Sequence, residues 1–98
     1  MTITKEQVID ELKEIKDPEL GIDIWTLGLI YDIKIDDEGI EITMTLTTPF
    51  CPFADELILQ AEKRTKTLLK DESQSVRVEL TFDPPWKPSE ELRAMLGV

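Results

Sequence analysis

A chain of 98 residues is long enough for one hydrophobic core and too short for two, and a hydrophobic content of 41% is sufficient to fill it. Its 21 acidic residues against 11 basic ones leave a net charge of −10, which repels phosphate backbones and argues against nucleic acid as a partner. With no histidine and one cysteine, Cys51, the chain can form no internal disulfide, no Ser-His or Cys-His pair and no histidine metal site.

The residues Met1-Thr2-Ile3-Thr4 lack the basic and apolar regions of a secretory leader. No apolar run approaches the roughly 20 residues of a membrane span, so a cytoplasmic protein without a membrane partner is expected. Thr4 is placed to cap a first helix, Gln7 to close a capping box, and Ile3 to staple onto Val8. Val8, Leu12 and Ile15 then fall on one helical face, with Lys13 and Lys16 towards the C-terminal end. Pro18 disfavours helical geometry at Asp17, so the helix is predicted to stop there.

Asp17-Pro18-Glu19-Leu20-Gly21 carries the signature of a turn, and Ile22 to Leu27, with Trp25, reads as a packed loop ending at Gly28. Alternation then predicts two strands. Leu29, Tyr31, Ile33 and Ile35 share one face, and Asp32, Lys34 and Asp36 share the other with Ile30. After the turn Asp37-Glu38-Gly39, Ile40, Ile42, Met44 and Leu46 alternate with Glu41, Thr43, Thr45 and Thr47, which makes a hairpin.

A second helix is predicted from Ala54, Leu57, Ile58, Ala61 and Leu68, with Thr65 filling the gap in the stripe. A third strand places Val76, Val78, Leu80 and Phe82 on its apolar face. The helix between the second and third strands makes a crossover, which requires those strands to be parallel. Pro84-Pro85-Trp86-Lys87-Pro88 is stiff and extended, and Ser89 can cap a short last helix through Leu92 and Leu96, ended by Gly97. The whole reads as one α/β (α+β) domain over residues 1–98. It is a two-layer sandwich in the order helix-strand-strand-helix-strand-short helix, with a three-stranded mixed sheet and the helices on one face.

Chemistry concentrates at Thr47-Thr48-Pro49-Phe50-Cys51-Pro52, where the strand pattern gives way to the helix pattern. Cys51 falls about at the N-cap of the second helix, with Pro52 in the first helical position. Free N–H groups and the positive end of the helix dipole favour a thiolate there, whereas Asp55 and Glu56 oppose it. A buried packing cysteine fits the same position. The hydroxyls of Thr47 and Thr48 can donate to an anion or sulfide, and Asp17 and Glu19 can orient a ligand or hold a metal ion if their turn lies beside Cys51. One sulfur per chain disfavours a permanent metal–sulfur centre inside one subunit, because such centres usually take four protein ligands.

Four stretches together resemble a known family: Asp17-Pro18-Glu19-Leu20-Gly21-Ile22-Asp23-Ile24, Leu27-Gly28-Leu29-Ile30-Tyr31, Met44 through Pro52, and Leu80-Thr81-Phe82-Asp83-Pro84-Pro85-Trp86. In this order they are similar to the metal–sulfur cluster biosynthesis domain of SufT and PaaD and of the eukaryotic cytosolic iron–sulfur targeting factor. The resemblance implies an iron–sulfur cluster assembly-type fold and a non-enzymatic role in maturing iron–sulfur proteins. Cys51 would serve as transient cluster or metal ligand, with Thr47, Thr48, Asp17 and Glu19 around it. It implies apo iron–sulfur proteins and other cluster assembly proteins as partners, and leaves open whether the domain carries a cluster or only positions recipients; the single thiol allows an iron–sulfur cluster bound transiently or shared between the subunits of a homodimer. An adaptor that docks recipients, with Cys51 structural, is the alternative. A thiol enzyme is disfavoured by the lack of an evident base.

Overall fold

Helix α1 (Lys5–Leu12) opens the chain in the computed structural model, which describes residues 3–18, 20–47, 54–70 and 73–96. Its start is the predicted one. The Thr4 side chain accepts from the Gln7 N–H at 3.2 Å, and the Gln7 side chain accepts from the Thr4 N–H at 2.9 Å. Each bond satisfies an otherwise orphaned donor of the first turn.

The helix does not continue to Asp17. After Leu12 the backbone tightens onto i−3 carbonyls, with Glu14 donating to Glu11 and Ile15 to Leu12, both at 3.1 Å. Beyond that the donors and acceptors turn sideways: Ile24 donates to the Ile15 carbonyl at 2.9 Å, and Lys16 bridges Asp23 in antiparallel fashion. These pairings need extended backbone, which a helix cannot supply. Lys13 and Lys16 therefore lie outside α1, while Ile15 still reaches the core.

Strands β1 (Ile30–Asp36) and β2 (Gly39–Met44) pair antiparallel, and β3 (Ser75–Leu80) pairs parallel to β2, giving the sheet order β1-β2-β3. Helix α2 (Ala54–Lys66) is the crossover between the two parallel strands. It ends before Leu68, the last member of its expected stripe, in a run of i−3 bonds from Thr67, Leu68 and Leu69. Helix α3 (Glu90–Leu96) is capped as expected, the Ser89 hydroxyl accepting from the Leu92 N–H at 3.1 Å.

One buried cluster unites the layers. Val8 and Leu12 of α1, Leu57 and Ala61 of α2 and Leu92 of α3 join Ile33, Ile40, Ile42 and Met44 of the sheet. Burying an aliphatic side chain of this kind contributes about 1.5–3 kcal/mol.

Two strand expectations need correction. A bulge between Ile30 and Asp32 inserts Tyr31 as an extra residue, so Ile30 sits opposite Met44 and Asp32 opposite Thr43. A one-residue slip exchanges faces, so Ile30, rather than Tyr31, is level with the core-facing Met44. Leu80 and Phe82, expected on a covered face, are 38% and 42% exposed: Leu80 is the last residue of the edge strand β3, and Phe82 lies beyond its end.

Candidate functional site

Of the candidate residues, Thr47 follows the C-terminal end of β2 and Asp17 lies in the turn after α1. Past Met44 the pairing with the β1 side continues, the Thr45 N–H donating to the Leu29 carbonyl at 2.7 Å. Leu29 in turn donates to Ile24 at 3.1 Å, and Ile24 to Ile15 at 2.9 Å. These three backbone hydrogen bonds in series tie the base of the acidic turn to the threonine-rich exit of the central strand. Thr47 stands half-buried at that exit.

Asp17 is 4% exposed, and its geometry is that of a turn former. Its Oδ1 accepts from the Leu20 N–H at 3.1 Å, its carbonyl accepts from Gly21 at 2.8 Å, and its own N–H donates to Ile22 at 3.0 Å. Gly21 closes the turn at φ +69°, a conformation that costs glycine little. At least one carboxylate oxygen is therefore engaged in building the turn. No group of three or more acidic or cysteine side chains is placed to hold a metal among the described residues. Thr47 and Asp17 are thus placed, whereas Glu19, Thr48 and Cys51 lie outside the described residues.

Three further features near this end escaped the sequence reading. Thr45, read as a plain polar-face residue, is fully buried, and its hydroxyl has no hydrogen-bond partner among the described residues. The Trp86 indole N–H donates to the Leu27 carbonyl at 2.6 Å, fastening the proline-rich strap to the loop before β1. The Tyr31 hydroxyl donates to the Pro84 carbonyl at 2.8 Å, a second tie to the same strap. Alternation gave the face of Thr45 but carried no signal for its burial. The two aromatic ties span 59 and 53 residues, and local pattern does not report contacts at that separation.

A family model described as iron–sulfur cluster assembly protein matches residues 5–86. The chain belongs to this family. The SufT- and PaaD-like character read from four motifs is thereby shown. The chain is 38% identical over 98 residues to an Fe–S protein maturation auxiliary factor of Bacillus subtilis, across 96% of this chain and 94% of that one. It is 45% identical over 73 residues to the Fe–S protein maturation auxiliary factor SufT of Staphylococcus aureus, across 71% of this chain and 78% of the other. Among solved structures, a conserved hypothetical protein from Thermotoga maritima superposes with a TM-score of 0.82 at 47% identity, covering 100% of both chains. The family match runs from α1 to the strap and contains all five candidate residues.

Proposed function

We propose that this chain acts as a non-enzymatic maturation factor that assists delivery of iron–sulfur clusters to apo-proteins in the cytoplasm, as one domain, with Cys51 as the transient ligand. What carries the reading is the span of the family match, which covers Cys51 together with the β2 exit and the acidic turn. The cluster is cargo in this scheme. A thiolate at Cys51 supplies one ligand to iron, and the remaining ligands come from the donor, the recipient or a second copy of this chain, since one chain offers one sulfur. Transfer is then ligand exchange at iron, with the Cys51 thiolate released as recipient ligands take its place. It requires no proton-transferring histidine, in keeping with a sequence that has none.

Thr47 and Thr48 would donate hydrogen bonds to cluster sulfide, and the turn of Asp17 and Glu19 would flank the cargo. Apo iron–sulfur enzymes and other assembly proteins are the partners. The decisive experiment mixes the protein anaerobically with ferrous iron, sulfide and a recipient apo-enzyme, and follows recovery of recipient activity. Wild type is expected to speed recovery and Cys51→Ala to fail. Equal recovery with both would remove the ligand role. If Cys51→Ser then still captures the recipient, the adaptor reading takes its place.

A further inference from the structure

We infer that the sheet face turned away from the helices carries a docking groove for a short segment of a partner protein in which a lysine or arginine adjoins an apolar side chain. The groove is a shallow, open depression of about 600 Å³, lined by Tyr31, Thr43, Glu79, Leu80, Asp83 and Pro84, among others. Its walls are joined by the Tyr31–Pro84 hydrogen bond of 2.8 Å, so the sheet and the strap hold it open as one preformed surface.

Strand register explains its charge. Asp32, Thr43 and Glu79 lie level across the three strands, while Lys34, Glu41 and Arg77 form the next row. The bases of this face therefore belong to the second row, where Arg77 is engaged with Glu41 at 2.9 Å. The groove sits at the first row and adds Asp83 from the strap. Among the described residues no lysine or arginine lines it. An acidic groove with Tyr31 and Pro84 in its lining, on a chain of net charge −10, is complementary to a cationic and apolar segment. Thr43 is the second-last residue of β2 and Thr45 and Thr47 follow the strand, so a segment seated here lies at the end of the sheet from which the chain runs on towards Cys51.

The inference deepens the maturation reading by giving the client a surface, and it rests on that reading only for the identity of the partner. Its test does not involve Cys51. An acetylated, amidated hexapeptide Gly-Leu-Arg-Phe-Lys-Gly is titrated into isotope-labelled protein beside its charge-reversed counterpart Gly-Leu-Glu-Phe-Asp-Gly, and amide shifts are mapped by NMR. Saturable shifts are expected at Tyr31, Thr43 and Glu79 to Asp83 with the basic peptide alone. They should weaken roughly five- to tenfold in the E79Q/D83N protein, as the loss of two exposed charge contacts implies. The spectrum of that variant away from the groove checks its fold. Scattered shifts, equal shifts with the acidic peptide, or undiminished binding by the variant overturn the proposal. So do groove shifts that track protein concentration without peptide, which would assign the face to a second copy of this chain. None of these results bears on Cys51→Ala, so the two readings fail separately.

Discussion

Trp86 donates its indole N–H to the carbonyl oxygen of Leu27, 59 residues earlier in the chain, at 2.6 Å. Leu27 is buried, so its carbonyl has little access to water as a substitute. Trp86→Phe keeps most of the ring contact and removes the donor, and is expected to cost about 1–2 kcal/mol. Denaturant unfolding monitored by far-UV circular dichroism measures this without relying on tryptophan emission. Unchanged stability would mean that the strap is held by apolar contact alone.

Gly39 begins β2 at φ +141°, opposite Ser75, and a Cβ there would collide with the Ser75 backbone carbonyl. The turn before it is organised by Asp36, whose Oδ1 accepts from Glu38 at 2.8 Å and Gly39 at 3.1 Å. Gly39→Ala therefore disturbs the start of the β2–β3 ladder and adopts a backbone conformation that L-residues avoid. A loss of about 2–3 kcal/mol is expected, read as a lowered denaturation midpoint.

Thr45 and Thr65 bury hydroxyls that have no hydrogen-bond partner among the described residues. Valine has the same shape without the polar atom, so Thr45→Val and Thr65→Val are each expected to be neutral or to stabilise by up to about 1 kcal/mol. Thermal unfolding of the two single variants and the double variant checks this. A destabilised Thr45→Val protein would show that its hydroxyl is satisfied in solution.

Asp17 separates a structural role from a chemical one. Asn at this position can still accept from the Leu20 N–H, so Asp17→Asn is expected to lose less stability than Asp17→Ala, which loses about 1–2 kcal/mol. If the carboxylate flanks the cargo, Asp17→Asn matures the recipient apo-enzyme more slowly despite its intact fold. A wild-type rate assigns Asp17 to the turn alone.

These residues also mark what could be read from the chain. Local grammar was legible: the Thr4–Gln7 box, the Ser89 cap and the acidic turn all rest on neighbours a few positions apart, and the parallel β2–β3 pairing follows from the order of the elements. The bulge at Tyr31 was not, because alternation continues through it unbroken and the extra residue shows only against the partner strand. Nor was the early end of α1, since Ile15 satisfies the helical spacing while its carbonyl is committed to Ile24. At the candidate site, Asp17 was found as a turn residue, whereas Thr47, read as a strand residue, lies three positions past the end of β2. The burial of Thr45 needed the third dimension, and the placement of Cys51, Thr48 and Glu19 lies outside the described residues.

The middle position of β2 has a bearing on how chains of this kind diversify. That strand is clasped along both edges, and the stretch beginning at Thr47 is rooted in it. Lengthening or rewriting the residues after Thr47 breaks neither ladder, so that stretch can drift in sequence while its mount stays put. A graft of this stretch between distant homologues should therefore leave the melting behaviour of the host unaltered.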